Sequence, residues 1–139
     1  MAVTLADIKK LRDITGAGMM DVKKALEEAN GDFEVATDLL RKRGQAIAAK
    51  RSDRVASEGC VLAKAVDGFG AIVAVKCETD FVAKNADFVA MVKLLLDAAI
   101  DQRPADLASL KALKIGDFTA EEIVTERSGV TGEKMELSD

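Results

Sequence analysis

A chain of 139 residues with 49% hydrophobic side chains, 32% charged side chains and a net charge of −4 has room for one ordinary domain or two very small ones. This composition excludes a disordered protein, and since no stretch reaches the roughly 18 apolar residues of a membrane span, we expect no association with a membrane. Histidine is absent, which removes Ser-His and Cys-His nucleophile pairs and imidazole metal ligands, so we expect a non-enzymatic protein without catalytic residues, metal site or cofactor.

The first 44 residues predict three short helices in a compact unit. Thr4 is followed three residues later by Asp7, a spacing that resembles a capping box at a helix start. An apolar stripe at spacing three then follows, formed by Leu5, Ile8 and Leu11. Arg12 projects inside this stripe, where it either reaches out from the edge of the core or borders a contact surface.

A second helix is predicted from about residue 19 to residue 29, because Asn30-Gly31 is a good left-handed stop. Asp32 is expected to cap a third helix, which Gly44 is expected to end. The inward face of this third helix is predicted to comprise Phe33, Ala36, Leu39 and Leu40.

Two methionines at the start of the second helix do not belong to its apolar face. That face is predicted to comprise Val22, Ala25, Leu26 and Ala29. Met19 falls at its edge, and Met20 projects roughly 160° away from Val22. Met20 is either an incidental surface residue or part of a protein-binding surface, where flexible and polarizable methionines recur.

A basic segment joins the two halves of the chain. Residues 45–56 are predicted to be a polar, basic linker, and residues 41–54 carry a charge of +5. The basic residues of that segment are Arg41, Lys42, Arg43, Lys50, Arg51 and Arg54. Such a charge can attract phosphates, but the absence of interleaved aromatic side chains favours a solvated helix tail and linker, so we expect no stable binding of nucleic acid.

After the linker, the hydrophobic period becomes that of strands. Two apolar runs, residues 61–66 and 71–77, flank an Asp67-Gly68 turn, a pattern that predicts a β-hairpin. A lone hairpin is not stable in water. The helix predicted from about residue 87 to residue 101 is apolar on most of its circumference, so it is the expected cover.

The last part of the chain predicts two more helices. Pro104 ends the apolar helix, a short helix follows at about residues 105–113, and Thr119 with Glu122 predicts another capped helix. Two strands under one very apolar helix make an incomplete sheet domain. We therefore expect an α+β fold in which residues 57–139 are the first half of a truncated core domain, able to form a homodimer through its incomplete core.

The two cysteines, Cys60 and Cys77, lie in apolar surroundings. We interpret them as reduced thiols within a core rather than as a disulfide, since nothing in the sequence suggests export. The N-terminal stretch MAVTLADIKK lacks the basic and then apolar order of a signal peptide. The expected location is therefore the cytoplasm.

The stretch ETDFVAKN, residues 78–85, contains a large aromatic side chain without an apolar stripe of its own. Phe81 has Lys84 at i+3 and Asn85 at i+4, so a helix that begins here gives its ring no apolar neighbour at either position. An aromatic residue in that situation is a candidate for contact with another protein.

Two stretches of the sequence resemble the signatures of one family. LRDITGAGMMDVKKALEEANGDFEVA, residues 11–36, resembles the N-terminal signature of bacterial elongation factor Ts, and CETDFVAKNADF, residues 77–88, resembles its second signature. The resemblance extends closely over residues 4–101. It implies a three-helix N-terminal domain of the ubiquitin-associated type in residues 1–44, followed by the first half of the family's core domain.

The resemblance also implies a function. Members of this family are nucleotide-exchange factors for elongation factor Tu, the GTPase that delivers aminoacyl-tRNA to the ribosome. The residues implied to bind this partner are Arg12, Met19, Met20, Asp80, Phe81 and Val82. The first three would contact the nucleotide-binding domain of the GTPase, whereas Asp80 and Phe81 would enter it near the Mg²⁺ and phosphate site. Asp80 either perturbs the metal region by its charge or caps the helix that carries Phe81.

Two other functions compete with nucleotide exchange. A module that binds RNA or the ribosome through residues 41–54 would show binding that falls steeply with salt and does not depend on Phe81. A ubiquitin-type binder is suggested by the three-helix unit alone, which is a weak basis because one fold serves many functions.

Overall fold

The computed structural model describes residues 2–139, and within that range the chain forms seven α-helices and five β-strands. The helices are α1 (Leu5–Thr15), α2 (Met19–Glu28), α3 (Phe33–Lys50), α4 (Asp80–Ala83), α5 (Ala86–Gln102), α6 (Leu107–Lys111) and α7 (Ala120–Thr131). The strands are β1 (Glu58–Val66), β2 (Phe69–Cys77), β3 (Lys114–Ile115), β4 (Phe118–Thr119) and β5 (Glu136–Leu137). The predicted α+β class is confirmed, whereas the ubiquitin-associated type of the N-terminal unit stays a prediction.

Strands β1 and β2 form the predicted antiparallel hairpin, paired along their full length of nine residues each. The turn consists of Asp67 and Gly68, whose φ angles are 50° and 77°. Two consecutive positive φ values match the right-handed twist of the flanking strands, which explains why an Asp-Gly pair connects them.

The sheet has a third strand that the sequence did not reveal. Strand β5 pairs antiparallel with β2, with Leu137 opposite Val75 and Glu136 opposite Lys76. Strands β3 and β4 form a second small hairpin. The expectation of only two strands was therefore wrong, because strands of two residues are too short to show an alternating pattern.

The larger hydrophobic core lies between the inner face of this sheet and α5, as predicted. Helix α5 is anchored by its buried side chains, Phe88, Met91, Val92, Leu95, Leu96 and Ala99. The sheet contributes its own buried side chains, Val73, Val75, Cys77 and Leu137. Helices α6 and α7 close the core, and the capping box of Thr119 and Glu122 at the start of α7 is confirmed. Helix α6 is shorter than predicted.

The first three helices pack around a second, smaller core. Its buried residues are Ile8, Leu11, Val22, Ala25, Leu26, Ala29 and Ala36. The capping box of Thr4 and Asp7 and the capping of α3 by Asp32 are confirmed. Leu5 is exposed, so its predicted place in the apolar stripe was wrong. Val3, which precedes the cap, packs against this core.

Gly44 does not end the third helix. Helix α3 continues through Gly44 to Lys50, so residues 45–50 belong to a helix and not to a linker. Glycine weakens a helix by about 1 kcal/mol relative to alanine, but Gly44 is buried where α3 crosses α7, and the missing side chain of the facing Gly129 lets the two helices approach. The predicted division of the chain into domains stays a prediction.

None of the helices that the structure describes has the length and apolar character needed to cross a bilayer.

Candidate functional site

Phe81 lies on α4, which is a single turn of helix. Almost the whole Phe81 side chain is exposed to solvent. Its exposed fraction is 84%, the largest among the exposed large hydrophobic residues of the described chain. The following residues, Val82 and Ala83, are half-buried against the larger core. Helix α4 therefore rests on the core through these two side chains and directs Phe81 outward. Val82 is part of this support, and its predicted contact with the partner stays a prediction.

Asp80 does not cap the helix that carries Phe81. The cap is Thr79, whose hydroxyl oxygen accepts a hydrogen bond from the backbone N–H of Val82 at 3.4 Å. Asp80 occupies the first turn of α4, and its exposed carboxylate lies 4.0 Å from the Lys84 ammonium. Of the two roles considered for Asp80, capping was wrong. This exposed i,i+4 ion pair is weak, so it does little to hold the carboxylate. The contact of Asp80 with a partner stays a prediction.

The start of α4 is held by a residue from the other end of the chain, Glu133. One oxygen of its carboxylate, Oε1, accepts hydrogen bonds from the backbone N–H groups of Glu78 at 3.0 Å and Thr79 at 2.9 Å. The other oxygen, Oε2, accepts one from the Thr79 hydroxyl at 2.6 Å. Sequence reasoning missed Glu133, since its partners lie more than fifty residues away and no local pattern connects them.

Glu78 extends this arrangement to the segment that precedes β1. Its carboxylate accepts a hydrogen bond from the backbone N–H of Lys134 at 2.8 Å and lies 3.5 Å from the Arg54 guanidinium. The Lys134 hydrogen bond, with a smaller contribution from the charge of Arg54, holds the pKa of Glu78 below its ordinary value. The Lys134 ammonium donates to the backbone carbonyls of Ser52 and Arg54 at 2.7 and 3.0 Å. Three separate segments of the chain thus meet beneath α4.

The N-terminal candidates lie on a different part of the molecule, at the ends of α1 and α2. Met19 and Met20 begin α2, with exposed fractions of 47% and 66%. Arg12, in the last turn of α1, is exposed and does not lie within the buried stripe. These helices belong to the smaller core, whereas α4 rests on the larger one. The candidate residues therefore form two surfaces, one on each core.

All four arginines of the basic segment contact this chain's own groups. Arg41 stacks on the Phe118 ring, with its guanidinium carbon 3.8 Å from the ring centre. Arg43 forms an ion pair with Glu28, and Arg51 donates to the Ser128 carbonyl at 3.4 Å. The Arg54 guanidinium lies 3.5 Å from the Glu78 carboxylate. These contacts reduce the positive charge that is available to bind phosphates.

A family model and several curated proteins that resemble this chain carry the same family name. The family model described as "Elongation factor TS" matches residues 78–139, a range that contains both α4 and Glu133. The chain is 64% identical over 137 residues to proteins named "Elongation factor Ts" from Phocaeicola vulgatus and Parabacteroides distasonis, covering 99% of this chain and 42% of each relative. It is 60% identical over 138 residues to a protein of the same name from Porphyromonas gingivalis, covering 99% of this chain and 50% of the relative. The chain thus spans about half the length of the curated relatives it matches, and it belongs to the elongation factor Ts family.

Proposed function

We propose that this chain acts in translation elongation by binding the GTPase elongation factor Tu in its GDP form and promoting release of the nucleotide. It does so without covalent chemistry, as a protein-binding module. The family supports the role in elongation. The observation that carries the mechanism is the nearly complete exposure of Phe81 on a helix that is fixed at its start.

In this mechanism Phe81 is a wedge. Its ring is not packed in this chain's own core, so no packing is lost when it moves into a partner. Entry of the ring into an apolar pocket of the GTPase near the Mg²⁺ and phosphate site is therefore favourable by about 1.5–3 kcal/mol. Since about 1.4 kcal/mol corresponds to a tenfold change in affinity, this single side chain is able to weaken GDP binding by roughly ten- to a hundredfold. Larger effects require other contacts or loss of Mg²⁺ coordination.

The remaining candidate residues have supporting roles. Asp80 brings an exposed carboxylate next to the wedge, where it would repel the nucleotide phosphates and compete for the metal ion. Arg12, Met19 and Met20 form a second contact with the nucleotide-binding domain, and arginine and methionine are both enriched at the centre of protein interfaces. Two contacts on one partner allow each to be weak while the whole complex is specific.

Binding of the chain and binding of GDP must oppose each other equally. If the chain weakens GDP binding by a given factor, then GDP weakens binding of the chain to the GTPase by the same factor, because both factors express one coupling free energy. This reciprocity separates an exchange factor from a protein that only adheres to the GTPase.

The test is the release rate of fluorescent GDP from elongation factor Tu, with this chain and with Phe81→Ala. We expect acceleration by the unchanged chain and a loss of roughly ten- to a hundredfold of that acceleration in the variant. Val55→Ala is the matched control, since Val55 is another apolar side chain that is largely exposed. Absence of binding to the GTPase, or equal activity of Phe81→Ala and the unchanged chain, would contradict the proposal.

A further inference from the structure

Helix α4 is too short to be stable by itself. It has four residues, none of them fully buried. A single helical turn in water is unstable, because nucleation fixes several backbone angles for one hydrogen bond. The direction in which Phe81 points therefore depends on whatever holds the start of α4 in place.

The carboxylate of Glu133 holds that start. It receives three hydrogen bonds, two from the backbone N–H groups of Glu78 and Thr79 and one from the Thr79 hydroxyl. Hydrogen bonds to an ionised carboxylate are about twice as strong as those between neutral groups. Thr79 is also the N-cap of α4. Glu133 thus fixes the backbone and the hydroxyl of the residue from which the helix begins.

Glu133 is itself held firmly. Helix α7 ends at Gly132, whose φ of 79° turns the chain out of the helix. The Ser128 hydroxyl, almost completely buried, donates a hydrogen bond to the Glu133 carbonyl. The Glu133 N–H donates to the Thr131 hydroxyl oxygen at 3.4 Å. The carboxylate therefore projects from a fixed position at the end of α7.

We propose that Glu133 is a positioning residue for partner binding, which holds Thr79 and thereby keeps Phe81 presented before the GTPase arrives. The inference rests on the proposed role of Phe81 in nucleotide exchange. Without Glu133, α4 would become ordered only during binding. The cost in conformational entropy of ordering α4 would then make the free energy of binding less favourable. Glu133 acts through Thr79 and α4 and does not touch the partner.

The holding of α4 is tested by amide hydrogen exchange of the isolated chain. The amides of Ala83 and Lys84 donate to the carbonyls of Thr79 and Asp80 at 3.1 and 3.0 Å, so they report whether α4 is formed. In Glu133→Ala we expect these two amides to exchange at least about tenfold faster, because hydrogen bonds to a charged group are lost, while the amides of α5 keep their protection. Unchanged protection of Ala83 and Lys84 would overturn the proposal.

Three further variants separate the interaction from general stability. Glu133→Gln is expected to keep part of the protection and to lie between the unchanged chain and Glu133→Ala, because its amide oxygen is still able to accept both backbone hydrogen bonds but as weaker, neutral ones. Glu133→Asp keeps the charge and shortens the side chain, so it is expected to lose protection and replaces the alanine variant if that variant does not fold. Glu136→Ala removes an exposed carboxylate three residues away and is expected to change nothing. Loss of α4 protection in Glu136→Ala as well would overturn the assignment to Glu133.

The connection with Phe81 is tested by a double-mutant cycle in GDP release from elongation factor Tu. Glu133→Ala is expected to lower the acceleration about tenfold, and Phe81→Ala/Glu133→Ala is expected to be no slower than Phe81→Ala alone. Multiplying effects would overturn the positioning role, since they would show that Glu133 acts independently of Phe81. If the unchanged chain gives no acceleration, the proposed exchange function fails, whereas hydrogen exchange still decides whether Glu133 holds α4.

Discussion

Gly129 of α7 lies so close to Gly44 of α3 that a β-carbon on Gly129 would be 2.6 Å from the Gly44 α-carbon. The contact is not symmetric, because a β-carbon on Gly44 would lie 3.7 Å from the Gly129 α-carbon, an ordinary van der Waals distance. Since α3 belongs to the smaller core and α7 to the larger one, this crossing helps to set the placement of the two exposed surfaces. The hydrogen bond from Arg51 to the Ser128 carbonyl lies at the same junction.

The asymmetry predicts opposite results for two similar substitutions. Gly129→Ala is expected to lower the free energy of unfolding by about 1–3 kcal/mol, because the added methyl group would force the helices apart. Gly44→Ala meets no such contact, and since alanine favours a helix over glycine by about 1 kcal/mol, this variant is expected to be as stable as the unchanged chain or more stable. Urea unfolding of both variants measures the difference, and equal stabilities would contradict the close approach at Gly129.

Two phenylalanines seven residues apart are expected to behave in opposite ways. Phe88 is fully buried in the larger core, so Phe88→Ala should lower the free energy of unfolding by about 3–5 kcal/mol. Phe81 is exposed, so Phe81→Ala should change it by less than about 0.5 kcal/mol. Thermal and urea unfolding check both values. A large loss of stability in Phe81→Ala would show that its ring packs within this chain, which would remove the basis for its proposed role as a wedge.

The parts of the fold that the sequence predicted are those with local causes. The capping boxes at Thr4 and Thr119 depend on residues three positions apart, and the hairpin depends on the positive φ values that Asp67 and Gly68 adopt easily. Helix α5 follows from its many apolar residues. In each case the decisive interactions join residues that are close together in the sequence, so a single sequence shows the pattern.

The parts that could not be predicted depend on contacts between distant residues. By local rules Gly44 is a strong helix stop, but its contact with Gly129 stabilises a helix α3 that continues past it. The exposure of Phe81 was predictable from its polar neighbours, whereas Glu133 and its hydrogen bonds to residues 78 and 79 were not. Capping by Asp80 was a wrong expectation, because Thr79, one position earlier, accepts the hydrogen bond from the Val82 N–H.

The homodimer predicted through an incomplete core stays a prediction; because α5 covers the inner face of the sheet, the outer face of the hairpin is the surface now expected to mediate self-association. Val61 and Ile72 have exposed fractions of 65% and 64%, and Ile72 lies opposite Ala63 in the register. Exposed apolar patches on a sheet favour contact with another protein surface, and within residues 2–139 the far edge of β1 has no partner strand. We therefore expect a homodimer whose population rises with concentration.

Sedimentation over a wide range of concentrations measures this association. Ile72→Lys should shift the equilibrium to the monomer, because the dimer would bury an unpaired charge. Lys76→Ala is a suitable control, since Lys76 is already exposed and polar on the same strand. A chain that stays monomeric at every concentration would contradict the prediction.

Cys77 is expected to make the stability of the fold depend on alkaline pH. The thiols of Cys60 and Cys77 are both free, in agreement with the predicted reduced state, and Cys77 is completely buried. Burial, together with the nearby negative charge of Glu133, raises the pKa of Cys77 to about 11. An unfolded cysteine titrates near 8.5.

The folded state therefore binds this proton more tightly than the unfolded state. The contribution of Cys77 to stability is fully present below about pH 8.5 and is lost as the pH rises toward about 11. Urea unfolding between pH 7.5 and about 10.5 should show that the free energy of unfolding declines with pH. The decline in Cys77→Ala, measured from that variant's own free energy of unfolding at pH 7.5, should be smaller than in the unchanged chain. Cys60→Ala is the control: the Cys60 thiol is half-buried and its pKa is raised by burial alone, so its removal should reduce the decline less. If Cys77→Ala and the unchanged chain lose stability in parallel as the pH rises, ionisation of the Cys77 thiol does not cause the decline.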